Sequence, residues 1–156
     1  MTFFEGNSSP KIVATREMLI GALLSAPAQA IHRRIIHDLN AAGFKGLSLP
    51  HMAIFRYPGP DGERPGVLAE RANMSKQAMN RLLGSLEELG YLKRSDSLDE
   101  GRARIVHFTK RGHMAYAKAI DILRDIERDW NAFLGPKDFA RLKEILFRVW
   151  ESPLIR

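Results

Sequence analysis

The stretch LAERANMSKQAMNRLLGSLEELGYL, residues 68–92, predicts two helices joined by a tight turn. Asn73 tolerates a left-handed backbone better than any residue except glycine, and the apolar Met74 can close the corner behind it. Ser75 is a good N-cap, because its hydroxyl accepts a hydrogen bond from an amide in the first turn of the next helix. Three features with different physical causes therefore indicate a helix-turn-helix.

The second of these helices, predicted over 76–89 and ended by Gly90, has an apolar side and a polar side. The apolar side consists of Ala78, Leu82, Leu86 and Leu89, with Met79 and Leu83 beside them. The opposite side of the first two turns consists of Lys76, Gln77, Asn80 and Arg81. Arginine and lysine have the donors that recognise guanine in the major groove, and asparagine and glutamine match adenine. We therefore expect these four residues and Ser75 to contact DNA, while the alternative is an ordinary solvated face.

A small β-hairpin is predicted directly after this helix. Its two strands and its charged tip are expected at 91–94, 104–108 and 95–103. From the tip, Arg102 and Arg104 can reach the DNA backbone or the narrow minor groove. Asp99 or Glu100 can form a salt bridge that directs the Arg102 guanidinium. The alternative is a hairpin tip whose charges only keep it solvated.

The rest of the chain is predicted to be mainly helical. The elements expected there are a loose tail at 1–10, helical sequence at 12–42, a helix near 49–57, a turn-rich loop at 58–66, a short helix at 65–72, a long helix at 109–133 and a last helix at 137–150. Gly43 is expected to end the first helical region, within which Ser25 and Pro27 could open a separate helix. Residues 11–30 are similar in composition to a secretory signal, but a helix packed in a dimer fits them better.

The helices at the two chain ends carry apolar stripes that need a covering surface. The residues that we expect at a dimer interface are Ile122, Ile126, Trp130, Phe133, Leu142 and Val149. Part of each stripe can instead belong to the core of the chain itself. We expect residues 11–46 and 113–156 to form a two-fold helical dimerisation region around a winged helix-turn-helix at 47–112. The predicted fold class is mainly α with a small β-hairpin wing.

Composition limits the classes of function. The chain has 156 residues, a formal net charge of +6 and no cysteine. This length suits one globular domain, and the positive charge favours an anionic partner. A chain without cysteine has neither disulfides nor thiolate metal sites. Because the sequence also lacks the common metalloprotease, phosphate-loop, dinucleotide and nucleophile-elbow motifs, we expect no enzyme activity, no cofactor and no metal site.

Several segments resemble the winged helix-turn-helix of the MarR (multiple antibiotic resistance regulator) family. They are 68–71, 75–77, 81–83, 86–87 and 89–92, together with the wing and the segment 108–112 after it. The family has an acidic residue two positions before an arginine in the wing, and Glu100 and Arg102 have that spacing. Glu100 replaces the usual aspartate and Asn73 replaces the usual glycine, and both changes preserve the physical role of the residue.

This resemblance implies a dimeric cytoplasmic regulator, commonly a repressor, that binds pseudo-palindromic double-stranded operators and responds to small organic effectors. It places the effector pocket between the dimer helices and the winged unit. Here we expect His51, Phe55 and Arg56 to line that pocket, while ordinary core and hinge roles are the alternative. Two other functions stay open, namely a non-specific architectural DNA-binding protein and a winged-helix protein-interaction module. No membrane contact is expected.

Overall fold

The computed structural model describes residues 19–55, 62–95 and 105–152. Its elements are α1 (Ile20–Ala41), a 3-10 turn (Leu49–His51), α2 (Met52–Phe55), α3 (Pro65–Arg71), α4 (Lys76–Glu88), β1 (Leu92–Arg94), β2 (Val106–Phe108), α5 (Lys110–Leu134) and α6 (Pro136–Trp150). This order confirms the predicted mainly helical fold with a small hairpin. None of the helices in the described ranges combines the length and hydropathy that a membrane span requires. The tail predicted at 1–10 lies outside the described residues.

One hydrophobic core joins the helix-turn-helix to the long helices. α1 packs along α5, and α3 packs against α4. The largest fully buried side chains are those of Tyr91, Leu39, Ile54, Leu68, Met79, Leu83, Leu86 and Val106. Burial of a side chain of this size contributes roughly 2 kcal/mol, so residues from almost every element stabilise the same core.

Three of the described helices end in the same way. A residue in the left-handed conformation follows each helix, namely Gly43 after α1, Asn73 after α3 and Gly90 after α4, with φ angles of 92°, 50° and 77°. The amides of Phe44, Met74 and Tyr91 then donate to the carbonyls of Leu39, Ala69 and Leu86, each at 2.9 Å. These bonds satisfy carbonyls that a helix end otherwise leaves open. The left-handed turn predicted at Asn73 is confirmed.

α1 is continuous through Pro27, which lies inside the helix. The sequence left open whether Ser25 and Pro27 open a separate helix, and within the described residues they do not. Proline has no amide hydrogen, so the carbonyl of Leu23 receives no helical hydrogen bond from it. Leu23 is 48% exposed, and water can therefore reach this part of the helix. Solvent at this exposed position can compensate for the missing hydrogen bond.

A third segment of chain pairs with the hairpin, although only a loop was predicted there. β1 and β2 pair antiparallel, with Leu92 opposite Phe108. On the other edge of β2, Glu63 and Val106 exchange two backbone hydrogen bonds, of 3.0 and 2.9 Å. Only a loop was predicted at 58–66, because a single bridging residue among prolines and glycines produces no periodicity.

The first turn of α5 lies directly against Tyr91, three residues after the end of α4. Thr109 caps α5, since its Oγ1 accepts a hydrogen bond from the amide of Gly112 at 3.1 Å. A Cβ atom added to Gly112 would lie 2.0 Å from the carbonyl oxygen of Tyr91 and 2.8 Å from Cδ1 of Phe108. Glycine is therefore required here to let the two segments touch.

Gly112→Ala is expected to lower the free energy of unfolding by about 3 kcal/mol, because the added methyl group must push a backbone carbonyl and a packed ring apart. Gly84→Ala in α4 is the matched control, since a Cβ there meets nothing within 4 Å. That change should raise the free energy of unfolding by about 1 kcal/mol through helix propensity. Urea denaturation of both variants checks the pair, and equal effects would contradict the close approach at Gly112.

Candidate nucleic-acid interface

The N-terminal half of α4 is a capped and exposed polar surface. Ser75 Oγ accepts a hydrogen bond from the amide of Ala78 at 3.1 Å, so the predicted N-cap is confirmed. The five residues predicted to contact DNA from this helix, Ser75, Lys76, Gln77, Asn80 and Arg81, are all exposed. The helix therefore presents its hydrogen-bonding side chains to solvent, where a large ligand can approach them.

The buried side of α4 is shifted from the predicted one. Of the four predicted stripe positions only Leu86 is buried, while Met79 and Leu83, predicted to lie beside the stripe, form its centre. Neighbouring residues on a helix differ by about 100° in direction, and a wide apolar stripe leaves its own centre undetermined. The shift leaves the exposed polar side in place.

Two ion pairs hold the helix-turn-helix against the hairpin. Arg94 Nε on β1 lies 3.0 Å from Glu87 Oε2 on α4, and Arg71 Nη1 on α3 lies 3.1 Å from Glu63 Oε2. The Arg94 Nε atom is buried and makes no hydrogen bond of good geometry, so the nearby carboxylate balances its charge mainly through Coulomb attraction. The C-terminal end of α4 is thereby tied to the wing.

The two cations at the start of α4, Lys76 and Arg81, differ from Arg71 and Arg94 in having no ion-pair partner among the described residues. Lys76 and Arg81 are exposed, and neither forms an ion pair with another residue in the described part of the chain. The four wing residues predicted from the sequence, Asp99, Glu100, Arg102 and Arg104, lie outside the described residues. Their contact with DNA and the salt bridge within the wing stay predictions.

Tyr91 fixes the direction in which the chain leaves α4. Its side chain is fully buried, and its hydroxyl donates to the carbonyl of Lys45 at 2.9 Å. The guanidinium of Arg111 donates to the same hydroxyl at 3.2 Å and lies 4.8 Å from the ring centroid. Thr109 Oγ1 donates to the carbonyl of Gly90 at 2.6 Å. α4 is therefore held at its C-terminal end by the loop after α1 and by the start of α5.

His51 has a structural place next to α2. It is 5% exposed, and its Nδ1 atom accepts a hydrogen bond from the amide of Ser48 at 3.1 Å. Burial lowers the pKa of His51, which favours the neutral ring that this acceptor role requires. His51 is not among the residues that line the cleft between α1, α2 and α5.

A cleft of about 440 Å³ opens between α1, α2 and α5, and we call it the α1–α5 cleft. Its lining consists of Ala28, Ile31, His32, Ile35, Met52, Phe55, Tyr116, Ala119, Ile120 and Leu123. Of the three predicted pocket residues, Phe55 lines this cleft, His51 does not, and Arg56 lies outside the described residues. The residues from α1 and α5 were missed, because a stripe of apolar residues looks the same whether it faces a core or an open cleft.

Comparison with known proteins tests the resemblance seen in the sequence. Residues 46–103 match the sequence model of the MarR family. Over these residues the chain is similar to proteins of the MarR family. No curated protein matches the chain by sequence.

Solved structures of MarR family proteins have the same fold. A MarR family protein of Mycobacterium tuberculosis in complex with salicylic acid is 25% identical, with a TM-score of 0.63 over 86% of this chain and 98% of that one. The reduced form of MarR from Escherichia coli is 17% identical, with a TM-score of 0.73 over 86% and 98% of the two chains. NadR in complex with 4-hydroxyphenylacetate is 18% identical, with a TM-score of 0.61 over 88% and 96%.

Two of the six residues predicted at the dimer interface are covered within the single chain. Ile122 and Ile126 are buried within the single chain, because α5 packs this side against α1. These two residues belong to the intrachain core. Of the other four predicted residues, Trp130 and Leu142 are half-buried, and Phe133 and Val149 are exposed. The exposed pair lies toward the C-terminal ends of α5 and α6.

Histidine and carboxylate side chains are scattered over the described residues. Across the described ranges, no group of three or more of them is arranged to hold a metal ion. His37 pairs with Asp38, where its ring nitrogen lies 2.8 Å from a carboxylate oxygen. The hydrogen bond from His37 and the nearby Arg34 lower the pKa of Asp38. This cluster is an exposed helix-surface network on α1.

Proposed function

We propose that this protein is a sequence-specific double-stranded DNA-binding transcription regulator that acts in the cytoplasm as a homodimer. In this proposal it represses its target genes and leaves its operator when a small organic effector binds, and it catalyses no reaction. The exposure of Lys76, Gln77, Asn80 and Arg81 on the capped start of α4 is the observation that carries the proposal.

The chemistry of these side chains suits base edges in the major groove. Arg81 and Lys76 donate to the acceptors of guanine, whereas Gln77 and Asn80 can both donate to and accept from adenine. Gln77, Asn80 and Arg81 are three and four positions apart, so they lie on one side of the helix. The wing residues Arg102 and Arg104 would add backbone or minor-groove contacts beside this helix.

Arg81→Ala and Gln77→Ala are each expected to cost about 1–3 kcal/mol of binding free energy and to relax the preference at the base they contact. The duplex is first selected by the wild-type protein from a random pool, and affinities are then measured by fluorescence anisotropy. Arg102→Ala should instead weaken binding to all sequences alike, because a backbone contact carries little sequence information.

Glu88→Ala is the matched control, since Glu88 is exposed on the same helix but at its C-terminal end. It should leave both the affinity and the base preference unchanged. A pool that yields no preferred sequence would support the non-specific architectural protein instead. No duplex binding at low salt would support the protein-interaction module.

Exposed apolar side chains at both chain ends support the homodimer. Leu19 is 81% exposed, Phe133 88% and Trp150 65%. α6 is amphipathic, but none of its residues is buried in the single chain. Soluble proteins rarely leave contiguous apolar surface uncovered, and a second copy provides a matching one. Two-fold packing of these ends can place two copies of α4 about 34 Å apart, the repeat of successive major grooves.

The double variant Phe133→Ser, Trp150→Ser is expected to weaken dimerisation by roughly 100-fold or more, because large aromatic side chains dominate interface energies. Sedimentation at micromolar concentration measures the shift from dimer to monomer. Lys137→Ser, an exposed change at the start of α6, is the control that should leave the dimer intact. A wild-type protein that sediments as a monomer would contradict the dimer.

The α1–α5 cleft is the proposed effector site. Its lining is aliphatic and aromatic, with His32 and Tyr116 as the residues that carry polar groups among those described. Sites for small organic molecules have this composition, an apolar wall with few polar groups. The solved complexes with salicylic acid and 4-hydroxyphenylacetate support a small aromatic acid as the class of ligand.

Salicylate is expected to bind this cleft, and Ala119→Met should weaken its binding by about tenfold or more, because the longer side chain occupies the cleft. Calorimetric titration measures both affinities. Ala117→Met on the exposed side of α5 is the matched control and should bind salicylate as the wild type does. Equal binding by all three proteins would place the salicylate elsewhere.

A further inference from the structure

Phe55 forms part of the wall of the α1–α5 cleft and also contacts both DNA-directed elements. Its ring centroid lies 5.5 Å from that of Phe108 on β2 and 6.4 Å from that of Tyr91 after α4. Both distances are within the range of packed aromatic pairs. A displacement of the Phe55 ring therefore changes its packing against Phe108 in the wing and against Tyr91 after α4.

Tyr116 makes the second connection from the cleft to the same strand. It lines the cleft from α5, and its ring centroid lies 5.9 Å from that of Phe108. Phe108 itself is 9% exposed and does not line the cleft. On a further side it contacts the ring of His113 at 5.4 Å. Phe108 thus lies between two rings of the cleft wall and the base of the wing.

The backbone around Phe108 leads directly to the wing. Phe108 pairs with Leu92 across the hairpin, and two residues earlier Val106 is bonded to Glu63. The chain before Val106 leads to Arg104 and Arg102 in sequence. Packed interiors have low compressibility, so a ring displaced by a molecule in the cleft must displace its neighbours.

We propose that Phe108 is the positioning residue through which occupancy of the α1–α5 cleft alters the wing. The inference rests on the proposed function, because it concerns how an effector in the cleft weakens DNA binding. Ligand and DNA then prefer different arrangements of one aromatic cluster, which is a coupling between two sites. Phe108 transmits this change through packing and touches neither ligand nor DNA.

The experiment fills the cleft by mutation and measures the wing directly. Ala119→Met is introduced alone and together with Phe108→Leu, and hydrogen–deuterium exchange is followed at the Val106 amide, which donates to Glu63 at 2.9 Å. Ala119→Met should speed exchange at this amide by about tenfold, a typical size of coupling. In the Phe108→Leu background the same filling should change the exchange rate less than twofold.

Two controls separate coupling from loss of stability. Phe44→Leu removes a half-buried ring that packs on the same core but makes none of these ring contacts, and it should leave the tenfold response intact. The thermal midpoint of each variant shows whether it folds, and Ile120→Phe is the second filling variant if Ala119→Met unfolds. An unchanged response in Phe108→Leu, or no response to filling in the folded wild-type background, overturns the proposal.

Binding of the selected duplex is measured on the same variants. Filling the cleft should lower the affinity for DNA by about tenfold in the wild-type background and by less than twofold with Phe108→Leu. Failure of the wild-type protein to bind any duplex would remove the proposed function, but the exchange measurement would still decide the coupling. DNA binding that ignores filling in both backgrounds counts against Phe108 as the link.

Discussion

The contacts of Tyr91 fix the end of α4 against the loop after α1 and the start of α5. The hydroxyl binds the loop after α1, the carbonyl accepts a hydrogen bond from the Thr109 amide, and the ring lies under Arg111. Tyr91, three residues after the end of α4, therefore contacts both the loop after α1 and the start of α5. Since α4 carries the polar surface, the direction of that surface depends on this buried joint.

Close packing around the joint explains why small residues surround it. Gly112 lets the first turn of α5 touch the Tyr91 carbonyl, and Gly90 supplies the left-handed turn before it. The same packing brings the rings of Phe55 and Phe108 together. Rigid contact of this kind gives α4 a defined position, and it also means that a disturbance at one ring spreads to the others.

Local chemistry predicted the helix ends well, while surfaces that depend on distant segments were predicted poorly. Asn73 and Ser75 act through bonds to residues at most five positions away, so their roles were evident in sequence. The bridge at Glu63 and the cleft beside α5 depend on which segments meet in space. The apolar stripe at Ile122 and Ile126 shows the limit, because periodicity finds a buried side without identifying what covers it.

The positions of the charged residues say more about where an anionic partner could bind than the net charge does. A net charge of +6 is modest, and on α5 and α6 many cations are balanced by neighbouring carboxylates. These pairs are Arg124–Asp121, Arg128–Asp125, Arg141–Glu144 and Lys143–Glu127. Exposed pairs of this kind contribute little to stability, but they reduce the positive potential over the long helices. Lys76 and Arg81 have no such partner among the described residues, so no neighbouring carboxylate there neutralises the charge at the start of α4.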